Sequence, residues 1–401
     1  MFDVDAIRAH FPALTDGAAH FDGPGGSQTP DVVADAIRHA MLSPLANRGA
    51  TTKAERNAED IVGQCRRALG DLLNADPAGI IFGRSMTALT FDLSRVLSAT
   101  WRPGDEIVVS RLDHDANVRP WVIAAERAGV TVRWADFDPE TAELPVANIE
   151  AKLSPRTRLV AVTAASNLIG TMPDIRAIAA VTHAAGALLY VDGVHYTAHR
   201  SVDVDELGAD FFACSPYKFL GPHCGVVAGR PDILADLHPD KLLPSPDQVP
   251  ERFELGTLPY ELMAGTTAAV DFLAQLTDAG GSRRERLVAA MKASELHEDG
   301  LRETIEAALG DLPGVTVYSR AHRRTPTLLA TFAGHESRSV SAFLADHGVN
   351  APAGSFYAYE PARHLGLGAA GGVRIGLAPY NNLDDVQRLI DAVSTYLAAG
   401  Q

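Results

Sequence analysis

Cysteine is scarce in this sequence: the 401 residues include three, Cys65, Cys214 and Cys224. They are too few and too scattered for a disulfide framework, and none belongs to a C-x-x-C pair of the kind that binds metals. We therefore predict no metal site. The sequence also lacks a G-x-G-x-x-G motif after its first predicted strand, so the lone glycine cluster in HFDGPGG does not predict a dinucleotide-binding domain.

Long hydrophobic runs are absent as well. No stretch of about 18 apolar residues occurs, which argues against a membrane-spanning helix. The first residues, MFDVDAIRAHFPAL, lack the basic-then-apolar pattern of a secretory signal. We accordingly expect a cytoplasmic protein without a membrane association.

Positive charge is in the minority. Lysine and arginine number 35 against 50 aspartates and glutamates, which gives a formal net charge of −15. Because such an acidic chain is not attracted to a nucleic-acid backbone or an anionic membrane, we expect neither as a partner. The hydrophobic content of 46% is that of an ordinary globular protein, and 401 residues exceed what one core usually holds. We expect a large domain and a smaller one.

The middle of the sequence alternates short apolar runs with amphipathic helical patterns. For example, Leu89, Leu93 and Leu97 fall on one face of a predicted helix. Such alternation predicts a mostly parallel sheet covered on both faces, with the ligand beyond the carboxyl ends of the strands. The predicted strands are GIIF at 79–82, EIVVS at 106–110, VTVRWA at 130–135, RLVAVTAAS at 158–166, ALLYVDG at 187–193, FFACS at 211–215 and GVVAG at 225–229.

A proline-rich stretch at 238–257 interrupts this rhythm and is predicted to form a long ordered loop. Helical patterns follow over about 260–309, and then two strand-like runs, GVTVYS and TLLATF. A helix near 340–347 and a last helix over 384–397 complete the chain. This tail is expected to form the smaller domain.

Four polar residues stand near the ends of predicted strands. Asp192 closes an apolar run, where a lone carboxylate is costly to bury and needs a partner or solvent. Thr87 lies between a strand end and a helix start, so it suits either an anion site or a simple helix cap. His114 suits a functional position or an ordinary polar loop. Lys218, taken alone, is compatible with a solvated surface position.

Taken together, these residues offer an anion cradle, an aromatic ring, an acid and a lysine, a set that suits a phosphorylated pyridine. A lysine amine forms a Schiff base with an aldehyde. An acid paired with a pyridine nitrogen keeps it protonated, so that the ring can draw electrons from a substrate's α-carbon. The residues therefore predict a site for pyridoxal 5′-phosphate.

The segment YVDGVHYTAHRSVDVDELGADFFACSPYKFLGPHCGVV resembles the class V aminotransferase and cysteine desulfurase family of fold-type I pyridoxal-phosphate enzymes. HFDGPGGSQTP, DHDANVRPW, ASNLIGT, RFELGT and VRIGLAPYNNLDDV extend the resemblance over nearly the whole chain. It implies an α/β fold: a large domain at 31–260 with a mostly parallel, seven-stranded-type sheet, and a smaller α+β domain at 261–401. Residues 1–30 would contribute to the small domain and the active site.

The same resemblance implies a role for each candidate residue. The catalytic residues would be Lys218, Asp192 and His114. Lys218 would carry the cofactor as a Schiff base and move protons at the substrate α-carbon. Asp192 would pair with the pyridine nitrogen, and His114 would stack on the ring. The other cofactor contacts would be Met86, Thr87, Ser215 and Tyr217 at the phosphate, Asn167 and His195 near the ring hydroxyl, and Thr257 at the phosphate of a neighbouring subunit. The substrate contacts would be Arg374 on the α-carboxylate, Arg48 and Gly25. The position of Thr257 implies a homodimer with shared active sites.

The resemblance stops at one loop. Desulfurases that form a persulfide use a cysteine shortly before the carboxylate-binding arginine, and here NAPAGSFYAYEPARHLGLGAAGGVRIG contains none. Ser355, Phe356 and Tyr357 occupy that neighbourhood, and serine forms no stable persulfide equivalent. The sequence therefore predicts a desulfurase-like enzyme that acts on an amino acid by transamination or by β-elimination of the C–S lyase type. An amino-acid epimerase and a non-catalytic binding protein of the same fold are the alternatives.

Overall fold

The computed structural model describes residues 2–399. Its strands are β1 (Ala19–His20), β2 (Ile80–Gly83), β3 (Glu106–Ser110), β4 (Thr131–Ala135), β5 (Thr157–Thr163), β6 (Leu188–Asp192), β7 (Phe211–Cys214), β8 (Gly225–Gly229), β9 (Val315–Val317), β10 (Thr327–Phe332), β11 (Val349–Asn350), β12 (Ala353–Gly354) and β13 (Gly372–Gly376). Its helices are α1 (Val4–Arg8), α2 (Asp31–Leu42), α3 (Lys53–Leu73), α4 (Met86–Ser98), α5 (Arg119–Ala128), α6 (Val146–Glu150), α7 (Ile175–Ala184), α8 (Tyr196–His199), α9 (Val204–Leu207), α10 (Pro231–Asp236), α11 (Tyr260–Leu273), α12 (Arg283–Gly310), α13 (Ser337–Asp346), α14 (Tyr359–His364) and α15 (Leu383–Ala399).

The two longest helices begin with the same local signal. Thr52 and Glu55 form a reciprocal capping box at the start of α3, and Ser282 and Glu285 form one at the start of α12. Each box satisfies N–H groups that have no partner within the helix. Among residues 2–399, the helices are too short or too polar to cross a membrane.

The central sheet has seven strands in the order β2-β8-β7-β6-β5-β3-β4. The neighbours from β4 to β7 pair in parallel, and β8 is antiparallel to both β7 and β2. The mostly parallel, seven-stranded sheet predicted from the sequence is confirmed. The connection at 215–224 explains the exception, because a parallel neighbour needs a crossover of about a dozen residues or more. Since β2 again runs with the parallel set, its carboxyl end lies at the same edge as theirs.

Helices cover both faces of this sheet. On one face α4 and α5 pack Leu93 and Trp121 against the strands. On the other face α3, α7 and α11 contribute Leu69, Ile178 and Val270 to a second core. Burial on both faces is the reason why the inner strands read as continuous apolar runs.

A four-stranded antiparallel sheet, ordered β12-β13-β10-β9, forms with α12, α13 and α15 around a third core. β1 pairs in parallel with β11, which ties the N-terminal region to the C-terminal third of the chain. The domain boundaries at 30 and 260 stay a prediction. The sequence pattern did not identify β13, because its run GVRIG carries the buried Arg374 at its centre.

Candidate active site

A cavity of about 320 Å³ opens at the edge of the central sheet where the parallel strands end. This volume lies at the lower end of the range usual for small-molecule sites. Most of the residues predicted from the sequence line it: Gly25, Met86, Thr87, His114, Asn167, Asp192, His195, Ser215, Tyr217, Lys218 and Arg374. Two predicted residues, Arg48 and Thr257, do not line it.

The N-terminus of α4 forms one part of the cavity wall. Ser85 caps this helix by accepting a hydrogen bond from the Ala88 N–H at 3.1 Å, and the N–H groups of Met86 and Thr87 have no carbonyl one turn earlier to bind. Gly225 permits this arrangement, because a Cβ there would lie 2.2 Å from the Met86 nitrogen. Helical N–H groups beside the Thr87 hydroxyl suit a phosphate. Ser85 was not among the residues predicted from the sequence, although a serine just before a helix is a recognised N-cap signal.

Asp192 ends β6 and is 4% exposed. Its Oδ1 accepts the Val194 N–H at 2.9 Å. Burial raises the pKa of Asp192 to about 6, and the Val194 N–H and the charge of Lys218 act in the opposite direction. A protonated ring nitrogen would give this buried carboxylate the partner that favours its charged form.

Lys218 follows β7 in a short helical turn, and its Nζ donates a hydrogen bond to the Pro24 carbonyl. Burial lowers the pKa of Lys218 to about 7, the positive charge of Arg374 adds to this effect, and Asp192 opposes it. A substantial fraction of the amine is therefore neutral near physiological pH. A neutral amine is the form that attacks an aldehyde.

His114 stands in the loop after β3. Its Nδ1 accepts the Ala116 N–H at 3.0 Å, which places the proton of the neutral ring on Nε2. Burial lowers the pKa of His114 to about 4, and the charge of Lys218 adds to the shift. Its ring centre lies 5.8 Å from that of Tyr357. The cavity thus contains a neutral imidazole in a defined tautomer.

A buried hydrogen-bond chain fixes the loop that carries His114. Asp113 accepts hydrogen bonds from the Ser110 hydroxyl and, at 2.7 Å, from the Asn117 amide. The Trp121 indole donates in turn to Asn117 at 3.1 Å. Burial raises the pKa of Asp113 to about 8. Asp113 was not among the residues predicted from the sequence, although the Asp-x-x-x-Asn spacing places both side chains close enough to bond.

Arg374 reaches the cavity from β13 and is 2% exposed. Its Nη1 donates to the Asn167 carbonyl at 3.0 Å, and its Nε has no hydrogen-bond partner in the described part of the chain. The Phe356 ring covers one face of the guanidinium at 3.7 Å. Gly25 lies beside Nη2, since a Cβ there would lie 3.4 Å from that nitrogen. Burial lowers the pKa of Arg374 to about 9, and Asp22 opposes the shift. The edge formed by Nε and Nη2 is therefore the part of the guanidinium left for a carboxylate.

The loop at 355–357 lies at the mouth of the cavity. Phe356 and Tyr357 both have left-handed φ angles, 54° and 57°, which are uncommon for bulky residues. Two hydrogen bonds hold this backbone: Asn167 Nδ2 donates to the Phe356 carbonyl at 3.0 Å, and the Asp115 N–H donates to the Tyr357 carbonyl at 2.8 Å. Asn167 therefore holds the mouth loop through its amide nitrogen.

His195 and Tyr217 also line the cavity. His195 Nε2 is hydrogen-bonded to the hydroxyls of Thr327 and Thr325 at 2.9 and 3.0 Å. Tyr217 stacks on His223, with ring centres 4.7 Å apart and an interplanar angle of 7°. Burial raises the pKa of Tyr217, so its hydroxyl remains a hydrogen-bond donor.

The structure does not bring Arg48 to this cavity. Its guanidinium donates twice to Glu59, both bonds at 2.8 Å, and once to Glu251 at 3.1 Å. With its charge matched by two carboxylates, Arg48 joins neighbouring segments of its own chain. Thr257 is exposed on the surface, and its predicted contact with a neighbouring subunit stays a prediction.

The residues present fit pyridoxal 5′-phosphate. The N-terminus of α4 suits the phosphate, Asp192 the ring nitrogen and Lys218 the aldehyde. Two buried polar atoms, Asn167 Oδ1 and Arg374 Nε, lack partners among residues 2–399 and are available to a bound molecule. Over the same residues, no group of three or more histidine, cysteine, aspartate or glutamate side chains is arranged to hold a metal ion.

Comparison with known proteins gives a consistent result. The family profile "Aminotransferase class-V" matches residues 19–389. An uncharacterized protein of Mycobacterium tuberculosis is 35% identical over 400 residues, which cover 98% of this chain and 99% of that protein. An aminotransferase-like protein of Gibberella zeae is 32% identical over 409 residues, 99% of each chain. The crystal structure of the cysteine desulfurase CsdA from Escherichia coli superposes with a TM-score of 0.88 at 27% identity and covers 100% of this chain and 99% of that chain.

The extent of these matches confirms the family, the fold type and the cofactor that the sequence motifs predicted. The matched region includes Lys218, Asp192 and the other residues that line the cavity. The chain belongs to the class V aminotransferase family, and it is a pyridoxal-phosphate-dependent enzyme of fold type I related to the cysteine desulfurases.

Proposed function

We propose that this enzyme acts on an α-amino acid, that Lys218 holds the cofactor through its amine, and that the reaction is a transamination or a β-elimination. The observation that carries this proposal is the incompletely bonded guanidinium edge of Arg374 in the same buried cavity as Lys218. A carboxylate is the group that such an edge binds best, through two parallel hydrogen bonds. A substrate with a carboxylate and an amine on one carbon would place its carboxylate on Arg374 and its amine near Lys218.

Bound pyridoxal phosphate supplies an electron sink for negative charge at the substrate's α-carbon. The protein's own residues position the substrate and move its proton. Arg374 fixes the carboxylate. Lys218, with its pKa lowered to about 7, is suited to accept the α-proton and to return it to another atom of the bound substrate or cofactor. Asp192 stabilises a proton on the ring nitrogen. The neutral His114 ring would cover one face of the ring and exclude water from it.

The cysteines favour a reaction without a persulfide on the enzyme. Cys65, Cys214 and Cys224 are all buried free thiols, and burial raises the pKa of each above its usual value. A thiol of this kind is a poor nucleophile, because the thiolate is the reactive form. Transamination and β-elimination both start with removal of the α-proton, and neither needs a sulfur acceptor from the protein.

We infer a homodimer with shared active sites. The loop after α10 exposes Leu242, Leu243 and Leu255, which are 69%, 99% and 64% accessible. Several exposed leucines in one loop favour burial against another chain. Thr257 follows in the same loop, in keeping with a contact to the neighbouring phosphate site. The cytoplasmic location stays a prediction.

The rate at which the cofactor-free protein takes up pyridoxal phosphate is expected to rise with pH through about 7. Burial lowers the pKa of Lys218 from 10.5 to about 7, so the amine is protonated and unreactive below that pH and neutral above it. The measurement is the growth of visible absorbance after mixing, at a series of pH values on both sides of this pKa. A soluble amine of ordinary pKa, mixed in the same way, serves as the control. A rate that rises only near 10.5 would contradict a buried Lys218.

The proposed reaction is tested by a spectral scan of the purified enzyme before and after addition of a panel of amino acids that includes cysteine. A visible band that shifts with one amino acid, together with a keto acid and the pyridoxamine form of the cofactor, supports transamination. A shift accompanied by pyruvate and sulfide supports β-elimination. An inverted enantiomer as the product would indicate an epimerase instead. A protein that stays colourless after the cofactor is supplied would indicate a binding protein and overturn the proposal.

A further inference from the structure

A pair of buried titratable side chains stands behind the cavity wall. His199 ends α8 and Glu298 lies on α12, and their side chains are 4% and 0% exposed. His199 Nδ1 donates to Glu298 Oε2 at 3.0 Å, and Glu298 Oε1 has no partner within the described residues. Because a buried carboxylate needs a compensating partner, the two side chains form one electrostatic unit.

This pair contacts the cavity through His195. The rings of His199 and His195 pack edge to face, with centres 4.8 Å apart and planes at 72°. His195 Nε2 is occupied by the hydroxyls of Thr325 and Thr327. Across residues 2–399 no hydrogen bond engages Nδ1 of His195, so Nδ1 is the ring nitrogen left for a group in the cavity.

Burial, together with the positive charges around it, keeps the His195 ring neutral. The pKa of His195 lies well below its usual value, and burial is the largest cause of this shift. Asp192 is the carboxylate that lines the same cavity, whereas Glu298 lies behind His199. The His199 ring lies between Glu298 and His195, because it bonds the first and packs against the second. The imidazole is therefore the end of the buried pair that faces His195, and the pair directs its positive end toward the cavity. The charged groups that add to the effect of burial are His199, Lys218, Arg374 and Arg200.

We propose that His199 and Glu298 are positioning residues for His195. They hold its imidazole in one orientation and place the imidazole end of the buried pair, which is its positive end, behind the His195 ring. Through His195, the pair favours loss of a proton from the cofactor in the cavity. This inference rests on the proposed function, in which the cofactor occupies the cavity beside His195. A carboxylate on α12 thereby acts on a site at the edge of the central sheet, without touching cofactor or substrate.

The test is His199→Gln, which keeps a hydrogen-bond donor to Glu298 and removes the imidazole that packs against His195. In the full-length holoenzyme, we expect the pH midpoint of the visible absorbance band of the bound cofactor to rise by about one unit, because the positive end behind His195 is lost. His347→Gln is the matched control: it makes the same substitution at an exposed histidine that lies outside the cavity lining. An unchanged midpoint in His199→Gln, or an equal rise in His347→Gln, overturns the proposal.

A double variant tests whether the effect passes through His195. In a His195→Gln background, His199→Gln is expected to cause no further shift of the midpoint. A full shift in that background would mean that the pair acts on the cofactor directly, which contradicts a positioning role. If His199→Gln does not fold, as judged by circular dichroism, the double variant His199→Gln, Glu298→Gln takes its place, because two amides can hydrogen-bond without leaving a buried carboxylate unpaired.

A second readout does not depend on the cofactor. In full-length protein with ¹⁵N-labelled histidine, examined without added pyridoxal phosphate, the His195 ring should stay neutral well below the usual histidine range. In His199→Gln it should titrate at a higher pH, because His199 is one of the groups that lower its pKa, and the resonance is assigned by its loss in His195→Gln. A His195 titration that is the same in both proteins overturns the inference. A missing visible band with a shifted His195 titration would instead refute the proposed function and leave the coupling established.

Discussion

Lys218→Ala is expected to abolish the visible absorbance band of bound pyridoxal phosphate and to lower turnover by on the order of 10³-fold or more. The physical reason is that one side chain performs two tasks. Its amine holds the cofactor, and its lowered pKa lets it accept the α-proton at neutral pH. Alanine provides neither function. The measurements are an absorbance spectrum after addition of excess cofactor and the initial rate with the best amino acid of the panel.

A surface lysine provides the control for this substitution. Lys292 on α12 is 61% exposed and pairs with Glu295, so Lys292→Ala should leave both the spectrum and the rate unchanged. Circular dichroism should show that Lys218→Ala remains folded, because the helices that frame the cavity do not depend on this side chain. A visible band that persists in Lys218→Ala would show that another amine holds the cofactor.

Arg374→Ala is expected to raise the KM for the amino-acid substrate by roughly 30- to 700-fold, which corresponds to about 2–4 kcal/mol for the loss of a charge-assisted, bidentate contact. The guanidinium is buried, and its Nε–Nη2 edge is the part left for a carboxylate. Alanine leaves the carboxylate in a buried cavity without its cation. The visible band of the cofactor should be retained, because Arg374 is not proposed to hold the cofactor.

Arg338→Ala is the matched control, since Arg338 is exposed on α13 outside the cavity lining. Its KM should equal that of the unmodified enzyme. An unchanged KM in Arg374→Ala, with the cofactor band intact, would place the substrate carboxylate at another cation. Loss of the band in Arg374→Ala would instead indicate that the cavity had collapsed, and Arg374→Lys would then test the charge with less change in volume.

Much of the fold follows from local patterns. EIVVS at 106–110 is the strand β3, and the helix predicted around Leu93 is α4. These elements are readable because inner parallel strands are buried on both faces and amphipathic helices repeat every 3.6 residues. The antiparallel direction of β8 and the strand β13 were not predicted. The first depends on the length of a connection between strands, and the second carries a buried arginine that breaks the apolar pattern.

The candidate site divides in the same way. Lys218 and Asp192 stand at the ends of β7 and β6, where a ligand is expected in a parallel sheet, and the motifs around them identify the family. The pairing of His199 with Glu298 could not be predicted, because the two residues are 99 positions apart and meet only when α12 packs against α8. The same holds for Phe356 over Arg374, which joins the mouth loop to β13.

The sequence by itself determined the family, the cofactor and the residues most directly tied to it, because these depend on residue types at fixed spacings along neighbouring strands and loops. Only the tertiary structure decided that Arg48 is engaged by Glu59 and Glu251 outside the cavity, and that one edge of the Arg374 guanidinium remains free. The reason is physical. Whether a side chain is buried and hydrogen-bonded depends on groups that are distant in the sequence and meet it only in the folded chain. A local sequence pattern does not show which distant groups those are.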